Sequence, residues 1–102
     1  MSSQELMARP QQIAHNVAAL ARNMLGADVT VIWFGSWPRG TANLHADIDI
    51  AISGQTAFPP ERLAALRDEI EDLTTLHEID LVDLHTVGER FKQEVLRHGI
   101  RL

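Results

Sequence analysis

The spacing of apolar residues predicts two amphipathic helices. One stripe of apolar side chains recurs every three or four residues and consists of Ile13, Val17, Leu20 and Met24. This period is that of an α-helix, and it predicts a helix that begins near Pro10 and ends at Gly26. After Pro59 and Pro60, a second stripe with the same period consists of Leu63, Leu66, Ile70 and Leu73. It predicts a second helix whose apolar face packs against a core.

Three shorter segments have the composition of β-strands. Residues 29–34 are β-branched and aromatic, which predicts a strand that is covered on both faces. Residues 47–52 alternate between isoleucine and other residues, which predicts a strand with one apolar face. Residues 79–84 form the third predicted strand. The intervening residues 37–46 contain proline and glycine and are expected to form a turn and a short helix.

A last helix is expected to carry Phe91 and Val95. Residues 86–89, Thr-Val-Gly-Glu, fit a capping box at its start, and Gly99 is placed to stop it. The predicted order is then α-β-(α)-β-α-β-α, which is an α/β-type alternation. For 102 residues this order predicts a single domain, residues 1–102, of the α+β class, in which helices pack on a small mixed β-sheet.

Composition argues against several classes of protein. Nine Lys and Arg residues against 14 Asp and Glu give a net charge of −5, which argues against a protein that grips nucleic acid through its phosphates. The chain has no cysteine, which excludes disulfides, thiolate metal sites and a cysteine nucleophile. Its longest apolar run, residues 29–34, is far below the ~20 residues that cross a bilayer, and no secretory signal is recognisable. We therefore expect a cytoplasmic protein with no membrane and no direct nucleic-acid partner.

The candidate chemistry begins where the first predicted strand ends. Gly35 and Ser36 offer backbone N–H groups and a hydroxyl, which suit phosphate oxygens, although the dipeptide alone is more typical of an ordinary turn. Asp47 and Asp49 share one face of the next predicted strand. Two adjacent carboxylates repel each other unless a divalent cation neutralises them, so the pair indicates a metal site. The alternative is a solvated outer face of the sheet.

A third acid lies on the last predicted strand. Asp80 would complete a three-carboxylate site for a hard cation such as Mg²⁺ if its strand lies beside that of Asp49. Asp83, on the opposite strand face, is the second candidate for this position. The alternative is that both acids merely flank a buried strand.

The spacing of these residues resembles a known signature. Gly35-Ser36 is followed by ten residues, then by Asp47-Ile48-Asp49, and later by an aspartate on a predicted strand. This arrangement resembles that of the polymerase-β-like nucleotidyltransferase superfamily and, more narrowly, that of the minimal nucleotidyltransferases, or MNT domains. The resemblance covers most of the chain and implies the palm-like nucleotidyltransferase fold.

The resemblance also implies an activity and the residues that perform it. Such enzymes use Mg²⁺, commonly two ions, to transfer a nucleoside monophosphate from a nucleoside triphosphate to a hydroxyl. The implied catalytic metal ligands are Asp47, Asp49 and Asp80. Gly35 and Ser36 would contact the phosphates. The family commonly has a serine where this chain has Ala46, and an arginine soon after Gly-Ser where it has Trp37, so Arg39 is expected to take the phosphate-contacting role.

A partner protein follows from the same resemblance. Minimal nucleotidyltransferases of this size resemble the antitoxin halves of bacterial two-gene modules, which are paired with a small helical HEPN toxin. The resemblance implies transfer of AMP from ATP to a tyrosine of that toxin, and this chain has no tyrosine of its own. The alternatives are a non-catalytic antitoxin that neutralises its toxin by contact and, less favoured, a small-molecule nucleotidyltransferase that works as an oligomer. The cluster of three acids favours an enzyme.

Two tryptophans flank the Gly-Ser turn. Trp33 precedes it and Trp37 follows it, so either indole is a candidate to stack on a nucleotide base. For Trp33, which lies within a predicted strand, packing in the core is the favoured alternative.

Overall fold

The computed structural model describes residues 3–43, 45–73 and 75–102. Along the chain its elements are α1 (Ser3–Leu25), β1 (Thr30–Phe34), α2 (Ser36–Arg39), β2 (Ile48–Ser53), α3 (Pro60–Glu71), β3 (Ile79–Asp83), a 3₁₀ turn (Leu84–Thr86), α4 (Glu89–His98) and β4 (Ile100–Arg101). Within these ranges, no helix combines the length and the apolar composition that crossing a membrane requires.

The four strands form one mixed sheet in the order β3-β2-β1-β4. β1 runs antiparallel to both β2 and β4, whereas β2 and β3 are parallel. A parallel pair needs a long connection, and α3 provides the crossover between β2 and β3. The predicted α+β architecture with a small mixed sheet is therefore confirmed.

The two faces of the sheet are covered by different elements. On one face, α1 and α3 enclose the larger core cluster, which includes Val31, Trp33 and the three isoleucines of β2. On the other face, α4 and the 3₁₀ turn cover a smaller cluster of Ile32, Ala51, Leu84 and Val95.

The two predicted apolar stripes both lie in the larger core. In α3, Leu66 and Ile70 are buried, and Leu63 and Leu73 pack against the same cluster. Complete burial of one leucine side chain contributes roughly 1.5–3 kcal/mol to folding. Helix propensity alone does not stabilise a helix of this length in water, so these contacts hold α3 on the sheet.

The predicted start of the first helix is wrong by about two turns. The structure continues α1 back to Ser3, and Pro10 lies inside the helix with its side chain buried. The apolar period identified the part of the helix that packs on the core, and the helical backbone extends beyond that part.

The predicted capping box at the start of the last helix is also wrong. The residue that precedes α4 is Gly88, and no side chain caps the helix. Thr86 Oγ1 instead donates to the carbonyl oxygen of Asp83 at 2.9 Å, because the end of β3 continues into the 3₁₀ turn. Gly99 ends α4 as predicted, but β4 was missed, since a two-residue strand is too short to show a period.

The close approach of Gly99 to β1 gives a test of this packing. A Cβ atom at Gly99 would overlap Cγ2 of Ile32 and would lie 2.7 Å from the carbonyl oxygen of Val95. Gly99→Ala should therefore lower the free energy of unfolding by about 1–3 kcal/mol in urea titrations. Gly88→Ala is the matched control, because a Cβ there meets no atom within 4 Å, and its cost should stay below about 1 kcal/mol. Equal losses in the two variants would contradict this account of the α4–β1 contact.

Candidate active site

A row of side chains crosses three adjacent strands on the second face, at the end of the sheet where β1 leads into the Gly-Ser turn. Phe34 of β1 lies opposite Asp49 of β2, and Asp49 lies opposite Asp80 of β3. Paired residues on neighbouring strands project to the same face, which here is the face of Ile32 and Ala51. The sheet register thus brings the two strand acids side by side.

Topology explains why the Gly-Ser turn lies at the same end of the sheet. β1 is antiparallel to β2, so the end of β1 lies beside the start of β2, and the parallel β3 also starts there. Gly35 follows β1 with φ 85°, a conformation that favours glycine. A Cβ atom at Gly35 would overlap Oδ2 of Asp49. Glycine is required at this position for both reasons.

The turn continues directly into the short helix α2. The backbone N–H of Thr41 donates to the carbonyl oxygen of Ser36 at 3.0 Å, and Gly40 closes the helix with φ 75°. Ser36 is half-buried at the start of α2, whereas Arg39 at its end is exposed. The Nη2 atom of Arg39 lies 3.8 Å from Oε2 of Glu94 on α4. This ion pair is solvated and contributes little to stability.

The charges of the three aspartates act on one another. The pKa of Asp49 is raised to about 6, chiefly because burial removes water from its carboxylate, and further because Asp80 and Asp47 carry like charge. Asp47 lies just before β2 and is exposed, as is Asp80. The two candidate metal-binding groups that flank Asp49 are thus close enough for their charges to raise its pKa.

The backbone around Asp47 is held from two sides. The indole Nε1 of Trp37 donates to the carbonyl oxygen of Ala46 at 3.2 Å, and Nδ1 of His77 donates to the same oxygen at 3.1 Å. The N–H of Ile48 donates to the carbonyl oxygen of Glu78 at 2.8 Å. Sequence reasoning missed His77, and no pattern in the sequence connects it to a residue 31 positions away.

Neither tryptophan is free to stack on a nucleotide. Trp33 is 2% exposed in the larger core, and Trp37 is 4% exposed, with its ring edge-to-face against His77. Core packing, the favoured alternative for Trp33, is therefore confirmed, and Trp37, which the sequence left open, is buried in the same core. Apolar residues cover them because they point to the face that α1 and α3 enclose.

Asp83 lies away from the other acids. It pairs with Ile52 and thus faces the opposite side of the sheet, where it is 6% exposed. Its Oδ1 accepts hydrogen bonds from the backbone N–H of His85 at 2.9 Å and from Nδ1 of that ring at 2.8 Å. Of the two candidates for the third acid, the register puts Asp80 beside Asp49 and commits Asp83 to a local turn.

The family can be assigned from sequence comparison. A family model described as polymerase beta, nucleotidyltransferase, matches residues 21–102. The chain belongs to this nucleotidyltransferase family. A search of curated proteins gives no match. The acids and the Gly-Ser turn all fall inside the matched range.

Solved structures share the nucleotidyltransferase fold. A structure described as a minimal nucleotidyltransferase is 27% identical with a TM-score of 0.68, and the match covers 100% of this chain and 97% of the other. A toxin–antitoxin structure with AMP-PNP is 24% identical with a TM-score of 0.64, covering 86% of this chain and 70% of the other. A structure described as a tri-AMPylated Shewanella oneidensis HEPN toxin in complex with MNT antitoxin is 22% identical with a TM-score of 0.63, covering 90% of this chain and 70% of the other. The last two likenesses concern the fold alone.

The donor chemistry of this nucleotidyltransferase site suits a hard cation. Asp47, Asp49 and Asp80 offer only carboxylate oxygens, which Mg²⁺ prefers, and their mutual repulsion is relieved by positive charge. Among the described residues, no three acidic or histidine side chains already form a metal-ligand set.

The raised pKa of Asp49 predicts how stability depends on pH in this nucleotidyltransferase. The unfolded chain loses the Asp49 proton near pH 4 and the folded chain near pH 6, so folding is progressively disfavoured between these values and the full cost is present above pH 6. In EDTA, Asp49→Asn should raise the Tm at pH 8 by about 2–5 °C, a range that allows for solvent screening. The difference should shrink below pH 6 and vanish near pH 4.

The control for this measurement is Asp68→Asn, which changes the net charge equally at an exposed position of α3. Its Tm should match that of the unmodified protein at each pH. A lower Tm for Asp49→Asn at pH 8 would mean that the carboxylate has a structural role instead.

Proposed function

We propose that this protein transfers AMP from ATP to a hydroxyl group of a partner protein, a HEPN-type toxin, in the cytoplasm. The observation that carries this proposal is the row of acids beside the Gly-Ser turn in a chain of the nucleotidyltransferase family. A fold neighbour described as a tri-AMPylated HEPN toxin with its MNT antitoxin supports the choice of acceptor. The absence of tyrosine from this chain means that a tyrosyl hydroxyl must come from a partner.

The phosphates of ATP are proposed to bind at the turn between β1 and α2. The backbone N–H of Gly35 and the hydroxyl of Ser36 would donate hydrogen bonds to oxygens of the β- or γ-phosphate, and Arg39 would add positive charge at the end of α2. Because Gly35 has no Cβ, the triphosphate can approach both this backbone and the carboxylate of Asp49. Pyrophosphate is then held at the turn as it leaves.

The three aspartates are proposed to hold Mg²⁺. When bound, Mg²⁺ neutralises the triphosphate and favours deprotonation of the attacking hydroxyl. Asp47 and Asp49 would hold the cation that accompanies ATP, and Asp80 would complete the ligand set on the side of the acceptor. The fixed Ala46 carbonyl and Ile48 N–H limit movement of the backbone that carries Asp47. In-line transfer depends on this kind of positioning.

The acceptor is proposed to approach from the side of β3. A cleft of about 550 Å³ lies there, and its lining includes Asp47, Asp80, His77 and Glu78. β3 is an edge strand, so nothing in the sheet lies beyond it. This open side can admit a tyrosine on the surface of a second protein, which makes a heteromeric complex the working unit.

Removal of divalent cations tests the metal site. Without a cation, the clustered carboxylates repel the triphosphate, so calorimetry should show ATP binding at least about tenfold weaker in EDTA than in Mg²⁺. The double variant with Asp47→Asn and Asp49→Asn should lose most of this dependence on Mg²⁺. Equal ATP affinity of the unmodified protein in both buffers would contradict the proposed metal site.

Asp80→Asn tests transfer itself. The variant should keep ATP affinity within about threefold, because Asp47 and Asp49 remain, but should transfer AMP at least about a hundredfold more slowly. Intact-mass spectrometry of the toxin, looking for added AMP, measures the rate. Asp68→Asn is the control and should transfer normally, since Asp68 lies on α3, outside the row of acids.

Survival of cells that express the toxin separates the enzyme from an antitoxin that acts by contact. If transfer is the protective step, Asp80→Asn should fail to protect, although the complex with the toxin still forms. Full protection by this variant, together with no added AMP on the toxin in the presence of unmodified protein, would overturn the proposed function in favour of neutralisation by contact.

A further inference from the structure

A second cavity lies on the other side of the Gly-Ser turn, against α4. Its volume is about 320 Å³, and its lining includes Phe34, Gly35, Arg39, Phe91 and Glu94. We propose that this cavity binds the base of the nucleoside triphosphate, with the rings of Phe34 and Phe91 as its apolar wall. The inference rests on the proposed function, because it assigns the binding site of the base of ATP, the proposed substrate.

Phe34 and Phe91 contact each other on one side of the cavity, and the ring of Phe91 is partly exposed to solvent. Their rings meet edge-to-face with centroids 5.8 Å apart and planes at 87°. Phe91 is 43% exposed, although it lies one turn before the buried Val95 on the same side of α4. An aromatic ring that is exposed on the inner side of a helix offers a planar apolar surface, and nucleobases stack on such surfaces.

The position of this wall fits the rest of the nucleotide. Phe34 is adjacent to Gly35 in the chain and opposite Asp49 in the sheet. The cavity shares Gly35 and Arg39 with the proposed phosphate contacts. One nucleotide can therefore place its base against the phenylalanines and its phosphates at the turn and the acids.

The other aromatic residues and the other cleft do not serve this purpose. Trp33 and Trp37 are buried, and Phe58 packs edge-to-face on His85, a contact made away from the Gly-Ser turn. The 550 Å³ cleft is lined by four carboxylates, those of Asp47, Glu71, Glu78 and Asp80. Among the described residues that line this cleft there is no Phe, Tyr or Trp on which a base could stack, so the cavity beside Arg39 is the better place for the base.

The polar edge of the cavity comes from α4. Oε2 of Glu94 lies 3.8 Å from Nη2 of Arg39 and 3.5 Å from Nε2 of His98. Glu94 and His98 of α4 both line the cavity and are half-exposed, so their side chains can turn toward polar atoms at the edge of a base. An apolar wall with a few polar groups at its rim is the usual composition of a small-molecule site.

The experiment compares two probes by calorimetry in Mg²⁺. ATP carries a base and inorganic tripolyphosphate does not, so the unmodified protein should bind ATP more tightly. Phe91→Ala should weaken ATP binding about tenfold and leave tripolyphosphate binding within about twofold. Leu96→Ala is the matched control, because Leu96 is a similarly exposed residue of α4 (39%) that does not line the cavity, and it should change neither affinity.

Circular dichroism reports whether Phe91→Ala is folded, and Phe91→Leu, which removes the ring but keeps an apolar side chain, replaces it if it is not. Three results would overturn the proposed base-binding site and leave the proposed function unchanged. They are equal affinity of the unmodified protein for ATP and tripolyphosphate, no effect of Phe91→Ala on ATP affinity, or an equal loss of affinity for both probes in folded Phe91→Ala. Failure of the unmodified protein to bind either probe would overturn the proposed function and the proposed base-binding site together.

Discussion

Repulsion between carboxylates that the sheet register holds side by side is the constraint on which the site depends. Asp49 and Asp80 are paired across β2 and β3, and Asp47 is two residues from Asp49. Burial is the first cause of the raised pKa of Asp49, and the like charges of Asp80 and Asp47 raise it further. We expect the arrangement to weaken folding at neutral pH, and it suits a protein whose ligands bring positive charge.

Apolar packing elsewhere in the molecule offsets the unfavourable free energy of the clustered carboxylates. The larger core under α1 and α3 lies on the face opposite the acids, so apolar burial and the charged row do not compete for the same positions. Gly35 also contributes, because only a residue without a Cβ leaves room for the Asp49 carboxylate. The sheet therefore divides stability and candidate chemistry between its two faces.

Two residues near the candidate site, Trp37 and Ala46, contact each other. Trp37 stands soon after the Gly-Ser turn and donates to the backbone oxygen of Ala46, the residue before the first aspartate. His77, from the start of the β3 segment, binds the same oxygen. Together these two donors fix the backbone just before Asp47, and Arg39 remains exposed at the end of α2.

The sequence by itself determined the elements and the candidate residues. Apolar period, β-branched runs and the spacing from Gly35 to Asp49 are local properties of the chain, and they predicted three of the four strands, the fold class and the family. Only the tertiary structure decided between Asp80 and Asp83 as neighbours of Asp49, buried both tryptophans, and brought His77 to Ala46 and Phe91 to Phe34. Each of these outcomes depends on strand register or on helix docking between residues far apart in the chain, and no local pattern encodes such distances.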